Sequence, residues 1–223
     1  MTEEVFLFDV DNTLLDNDAV TEDLRHFLID AFGNERERRY WALFEELRSE
    51  LGYADYLGAL QRYRIENPRD PKLLRASLFL LHYPFADRVL PGALDVLRHF
   101  GRRGPVVILS DGDVVFQPRK VERSGLWEAV SGQVLIYIHK EEMLDDVEQR
   151  FPARRYVMVD DKVRILAAMK AHWRERLTTV FVRQGHYATD AALVATYPPA
   201  DLAVEKIGDL RKYGGIAESA IGG

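Results

Sequence analysis

The 223-residue chain contains no cysteine, which excludes disulfides, thiolate catalysis and thiolate-held metals. No apolar run approaches the ~20 residues that a membrane-spanning helix needs. The start, Met1-Thr2-Glu3-Glu4, lacks the basic residues of a secretory signal, and the apolar run after it is too short for one. A cytoplasmic location is the expectation. Basic residues are outnumbered, 30 Lys and Arg against 36 Asp and Glu, for a formal charge of −6 and a pI near 5.6. The basic footprint that phosphate backbones require is therefore missing, and neither nucleic acid nor membrane is expected as a partner. Internal repeats and low-complexity segments are missing too. What remains is an ordinary globular composition, 47% hydrophobic and 30% charged, in one large domain or a core with an accessory unit.

What is present at the start organises the rest. Val5-Phe6-Leu7-Phe8 is an apolar run that ends abruptly in Asp9, Val10, Asp11, Asn12 and Thr13. A short apolar run bounded by polar residues reads as a strand buried on both faces. Carboxylates at i and i+2 of an extended chain project to the same side. Held that close, Asp9 and Asp11 raise each other's pKa unless a cation sits between them. Hard oxygen ligands of this kind suit Mg²⁺.

From Asp16 to Ala86 the period is helical. Leu24, Phe27, Leu28, Ala31 and Phe32 share a stripe, with Thr21 expected as N-cap and Gly33 as the stop. Tyr40, Phe44, Leu47 and Leu51 predict a second helix. Tyr53, Tyr56, Leu57 and Leu60 predict a third, ending before Asn67-Pro68. Pro71 can open a fourth, its stripe expected at Leu74, Ser77, Leu78 and Leu81. Acids and bases nearly balance here, and residues 17–86 read as a compact helical insert between two segments, 1–16 and 87–223, of another unit.

From Leu90, strands and helices alternate. A helix with Pro91 near N1 and Gly101 as its stop precedes a strand at Val106–Leu109. A helix over Pro118–Ser124 and a loop at Gly125–Trp127 lead to a strand at Val134–Ile138 and a helix over Glu141–Arg150. A strand at Tyr156–Val159, a helix through Ile165, Met169 and His172, and a strand at Thr178–Val182 follow. A short strand at Leu202–Val204 and an amphipathic stretch around Leu210 complete the pattern. Apolar strands alternating with helices predict an α/β fold, a doubly wound parallel sheet carrying a small α-helical insert. Ligands of such sheets bind outside the carboxyl ends of the strands. Asp9/Asp11, Ser110, Lys140 and Asp160/Asp161 all fall there.

The Asp-x-Asp-x-Thr stretch Asp9–Thr13, followed in order by Ser110, Lys140 and the Asp160-Asp161 pair, resembles the four-part pattern of the haloacid dehalogenase-like hydrolases. The resemblance covers nearly the whole chain. The insert is similar to a C1-type cap, Leu90-Pro91-Gly92 to the cap exit, and Ala200-Asp201-Leu202 to Leu210 to the family's ending. It implies a Rossmann-like core, Mg²⁺ as cofactor and hydrolysis of a small phosphorylated metabolite. Asp9 is implied as the nucleophile, its aspartyl-phosphate splitting one hard displacement into two. Asp11 is implied as the acid for the leaving oxygen and then the base for water. Mg²⁺ is implied at Asp9, the Asp11 backbone carbonyl and Asp160, with Asp161 as the second choice or as support. Ser110, its neighbour Asp111 and Lys140 are implied to bind the phosphoryl group. Thr13 is implied to order the turn or donate a hydrogen bond beside the nucleophile.

Asp11 also bears on the choice within the family. Dehalogenases of this type carry a non-acidic residue there, because halide leaves without a proton, so the acid favours a phosphatase. The pattern departs from the family in two places. Lys140 is followed by Glu141 rather than Pro, which leaves Lys120 as a lesser candidate. Arg164 and Ile165 stand where a second Asp is common, so the Asp160-Asp161 pair must serve. A phosphomutase of the same fold and a catalytically silent phosphate-binding protein are the alternatives. Arg62, Arg64, Arg75, His82 and Tyr83 of the insert could reach a substrate, although no spacing singles one out. Hinges are expected near Asp16–Ala19 and Asp87–Pro91.

Overall fold

The computed structural model of the chain describes residues 2–213, so the end of the segment 87–223 falls outside the described residues. In chain order β1 (Thr2–Phe8) is followed by four helices, α1 (Asn17–Phe32), α2 (Asn34–Leu51), α3 (Tyr56–Glu66) and α4 (Leu73–His82). Next come α5 (Ala93–Phe100), β2 (Val106–Asp111), α6 (Phe116–Arg123), α7 (Leu126–Ala129), β3 (Val134–Tyr137) and α8 (Leu144–Arg150). The chain continues through β4 (Ala153–Asp160), α9 (Val163–Trp173), β5 (Leu177–Val182), α10 (Gly185–Thr189), α11 (Ala191–Val194) and β6 (Leu202–Val204).

The strands form one parallel sheet of six in the order β3-β2-β1-β4-β5-β6. β1 is central, and Phe8 is level with Ile108 on β2 and Val159 on β4. Side chains alternate across a strand, so Phe6 and Phe8 join one buried cluster while Val5 and Leu7 join the other. Val96 and Phe100 of α5 and Phe116 of α6 cover the first face. Val147 of α8 and Leu166 and Met169 of α9 cover the second. Both faces are shielded, which explains why the strands read as unbroken apolar runs. The order reverses at β1, where β2 lies on one side and β4 on the other, and such a switch point opens a crevice at the strands' carboxyl ends.

The helices α1 to α4 pack on one another through Leu24, Leu28, Tyr40, Phe44, Tyr63, Ala76 and Leu80, continuous with the Phe6/Phe8 cluster. The two chain passes that enter and leave them run side by side. Leu90 N donates to Leu14 O at 2.9 Å, and Asp16 N donates to Arg88 O at 2.8 Å. Among the described residues, no helix is long and apolar enough to cross a membrane.

Several local expectations shift. Asp16, not Thr21, caps α1, its carboxylate accepting from Ala19 N at 2.9 Å. Thr21 lies inside the helix with its hydroxyl 3.0 Å from that of Tyr56. α4 buries Leu73, Ala76 and Leu80, while Leu74 and Leu78 are exposed. Leucines at 73, 74, 78, 80 and 81 give the period two solutions, and packing against α1 and α3 chooses the other one. α5 starts at Ala93, after Gly92 in the left-handed region at φ 85°, so Pro91 stands outside the helix. The expected loop at Gly125–Trp127 opens α7. Residues Lys140–Glu142 form a 3-10 turn, and α8 begins only at Leu144. The sequence reading did not anticipate α10 or α11.

Candidate active site

β1 stops at Phe8, and Asp9 N donates to Val159 O at 3.0 Å, which keeps Asp9 beside the end of β4. The chain then coils tightly. Leu14 N and Leu15 N both donate to Val10 O, at 2.9 and 3.0 Å, and Asn12 takes φ 60°. Asn visits that region more readily than most residues because its short amide bonds locally. Here Asn12 Oδ1 accepts from Asn17 N and Asp18 N at 3.0 and 3.1 Å. The coil has a consequence for the acid pair. Asp9 and Asp11 are not successive same-side residues of an extended strand, and they meet different partners.

Asp9 is buried, and its Oδ1 accepts from Lys140 Nζ at 2.5 Å. Lys140 Nζ also donates to Leu109 O at 3.2 Å and lies 2.7 Å from Asp160 Oδ2, a close ion pair that is not aligned as a hydrogen bond. Asp111 Oδ1 fixes the turn by accepting from Lys140 N at 2.8 Å. Asp11 is partly exposed instead, and its Oδ1 accepts from Lys120 Nζ at 2.7 Å. Lys120 is fully buried and also donates to Asn17 Oδ1 at 2.8 Å. Each carboxylate of the opening stretch thus has its own buried lysine: Lys140 serves Asp9, and Lys120 serves Asp11.

Asp9, Asp160 and Asp161 each offer one carboxylate oxygen within 4.8 Å of the others, and all three are buried. Asp160 Oδ1 accepts from Lys162 N at 2.8 Å. Among the described residues, Asp9 Oδ2, Asp160 Oδ2 and both carboxylate oxygens of Asp161 find no hydrogen-bond partner. Burial pushes Asp9 up to about 6, with Lys140 opposing and Asp160 adding to the rise. Burial, then repulsion from Asp160, lifts Asp161 well above the carboxylate range. Burial also raises Asp111. Burial alone would lower Lys140, but Asp160 and Asp9 outweigh it and hold the ammonium above its ordinary pKa. Lys162 follows the same pattern, with Asp161 and Asp9 outweighing burial.

Unpartnered hard oxygens amid surplus negative charge are the donor set Mg²⁺ takes, so the residues present fit that ion. Among the described residues, Asp161 has both oxygens unpartnered, while Asp9 and Asp160 each keep one oxygen without a hydrogen bond and share the Lys140 ammonium.

The remaining expected residues, Ser110 and Thr13, are buried too. Ser110 is buried, its hydroxyl donating to Asp111 O at 3.3 Å and accepting from Gln117 Nε2 at 2.9 Å. Thr13 is fully buried and its hydroxyl has no partner among the described residues. A cavity of about 310 Å³ opens beside Asp11, Asp111, Gln117 and Lys162. The insert faces it with Arg48, Tyr53 and Tyr56, and none of Arg62, Arg64, Arg75, His82 and Tyr83 lines it. Arg62 pairs with Glu50 at 2.5 Å, and Tyr83 bonds Asp23 and Arg88. Sequence reasoning missed Arg48, Asn17, Gln117, Lys162 and Tyr187. Lys162 carried a signal, being the cation directly after the acidic pair at a strand end. The other four carried none.

The family model for haloacid dehalogenase-like hydrolases matches residues 3–172. A crystal structure from Burkholderia xenovorans, described as a haloacid dehalogenase-like hydrolase, is 66% identical, with a TM-score of 0.93 over 96% of this chain and 100% of that one. The magnesium-bound YfnB of Bacillus subtilis is 15% identical, with a TM-score of 0.61 over 95% of this chain and 98% of that one. The L-2-haloacid dehalogenase of Xanthobacter autotrophicus, with chloropropionic acid covalently bound, is 17% identical, with a TM-score of 0.60 over 95% and 98%. At those identities the last two show a shared fold. No curated protein sequence matches the chain.

Proposed function

The chain belongs to the haloacid dehalogenase-like hydrolases, and we propose that within this family it hydrolyses small phosphate monoesters with Mg²⁺, through an aspartyl-phosphate. The observation that carries this reading is Asp161, buried beside Asp9 and Asp160 with neither carboxylate oxygen partnered among the described residues. Such a group calls for a cation, and Mg²⁺ held by Asp160 and Asp161 beside Asp9 would offset the repulsion between carboxylates and phosphate.

The chain's own residues divide the rest. Lys140 fixes Asp9 through Oδ1 and leaves Oδ2 without a partner among the described residues, which suits it to attack phosphorus. The Oδ2–P bond forms as the ester P–O bond breaks, and Asp11 gives the departing oxygen its proton. Asp11 lines the cavity that would hold the leaving group and is oriented by Lys120. In the second half Asp11 takes a proton from water, the new oxygen bonds to phosphorus, and Asp9 and inorganic phosphate are released. Ser110, Thr13 and Lys140 would hold the phosphoryl oxygens, with Asp111 fixing the Lys140 backbone.

Phosphate release from a panel of phosphorylated metabolites with Mg²⁺, for wild type and Asp9→Asn, tests the reading. Turnover by wild type that Asp9→Asn abolishes is expected. An active Asp9→Asn protein would remove Asp9 as nucleophile. Transfer to a second position of a sugar phosphate without free phosphate would indicate a mutase. Metal-independent hydrolysis of 2-chloropropionate, with no ester cleaved, would place the chain among the dehalogenases.

A further inference from the structure

The cavity beside Asp11 has a charge imbalance that the phosphoryl-transfer residues do not use. One of its three cationic residues and both of its carboxylates are already engaged or held: Arg164 pairs with Glu141 at 2.6 Å, Asp11 pairs with Lys120 at 2.7 Å, and Asp111 accepts from Lys140 N at 2.8 Å. Arg48 and Lys162 are left. Lys162 Nζ stands 4.9 Å from the centroid of the Tyr187 ring and has no carboxylate within ion-pair distance among the described residues. Its charge is felt by the Asp9–Asp160–Asp161 cluster, but its ammonium is not bound there. Arg48 reaches in from α2, its guanidinium 5.8 Å from the same ring and bonded to the Tyr187 hydroxyl. Its only ionic neighbour among the described residues is the mostly exposed Glu45, at a loose 3.4 Å. Tyr53 and Tyr56 supply aromatic wall of the same cavity.

Resting on the phosphatase reading above, we propose that the leaving group of the substrate carries a second anion, a carboxylate or a further phosphate, held by Arg48 and Lys162 at Tyr187. Arg presents a planar fork that matches either anion with two parallel hydrogen bonds. Arg48 comes from the helical insert while Lys162 and Tyr187 come from the sheet unit, so an anion binding all three also ties the two together over the reacting centre.

Phenyl phosphate, 4-carboxyphenyl phosphate and 1,4-phenylene bisphosphate form a matched set, differing only in what the far end of the ring carries. Calorimetric titration into the Asp9→Asn protein with Mg²⁺ reads the subsite without turnover. Binding of one or both doubly anionic esters about tenfold to a hundredfold tighter than phenyl phosphate is expected, as a charge-assisted hydrogen-bonding partner contributes. Which of them shows the advantage distinguishes carboxylate from phosphate. Adding Arg48→Gln should remove the advantage, and Arg48→Lys should restore part of it. Thermal melts check that both variants fold. Equal affinity for the three esters, or an advantage that survives Arg48→Gln, overturns the subsite even if every ester is hydrolysed. An Arg48-dependent advantage with no phosphate released by wild type keeps the subsite and sinks the phosphatase reading.

Discussion

Removing a charge should stabilise this protein when no metal is bound. Asp161 is fully buried, has no hydrogen-bond partner for either oxygen among the described residues, and stands within 4.8 Å of oxygens on Asp9 and Asp160. Two unit charges 4.8 Å apart repel by about 3.5 kcal/mol at an effective dielectric of ~20. Asp161→Asn removes that repulsion but buries an amide whose polar atoms also lack partners, which costs about 1–3 kcal/mol. The net expectation in EDTA at pH 7 is a gain of about 1–2 kcal/mol, or roughly 2–8 °C in Tm for a chain of this length. The pH dependence has a definite sign. A carboxyl whose folded pKa is raised contributes stability that is complete below its unfolded value and lost as pH rises through the folded value. Wild type and variant should therefore converge as pH falls toward 3.8, the ordinary value, and separate toward neutrality. Mg²⁺ should reverse the order, since at about 100 times Kd it adds about 2.7 kcal/mol to whichever protein binds it. Differential scanning fluorimetry in EDTA and in Mg²⁺, across pH, measures all three effects. If Asp161→Asn melts below wild type in EDTA, or gains as much from Mg²⁺, then Asp161 is not the uncompensated charge of the cluster.

The counter-ion gives the opposite result. Lys140→Met leaves Asp9 and Asp160 facing each other without their shared ammonium, and urea titration without metal should show a loss of about 3–5 kcal/mol. A loss under about 1 kcal/mol would mean that the three carboxylates share protons instead of relying on Lys140. In α4, Leu80→Ala should cost about 2–5 kcal/mol and Leu74→Ala no more than about 0.5. Similar costs at the two positions would contradict the observed rotation of that helix.

The sheet and its polar edge were legible because buried parallel strands are nearly continuous apolar runs. Val5–Phe8, Val106–Leu109, Tyr156–Val159 and Thr178–Val182 each lie within an observed strand. Since the end of such a run is where polarity returns, Asp9, Ser110, Lys140 and Asp160/Asp161 could be placed before their neighbours were known. Helix ends were harder. Asp16 and Thr21 are both good caps, and only the coil at Val10–Leu15 determines that the helix begins at the first. Arg48, Tyr187 and Asn17 were out of reach for a different reason. Each is ordinary in its own window, and each matters only because α2, α10 and the start of α1 converge over the sheet edge.

The sequence suggested that Asp9 and Asp11 are close like charges requiring one cation between them. The fold meets that requirement differently. By leaving the strand at Phe8 and coiling about Val10, the chain gives each carboxylate its own buried lysine, Lys140 from the turn after β3 and Lys120 from α6. Distinct partners let the two acids differ. Asp9 is sealed in with burial raising its pKa, while Asp11 stays partly exposed at the cavity wall, where protons can enter and leave. The negative charge left unanswered then belongs to Asp161, on the neighbouring strand end. The need for a cation that the opening stretch raised therefore persists across the sheet switch point, between β1 and β4, rather than between Asp9 and Asp11.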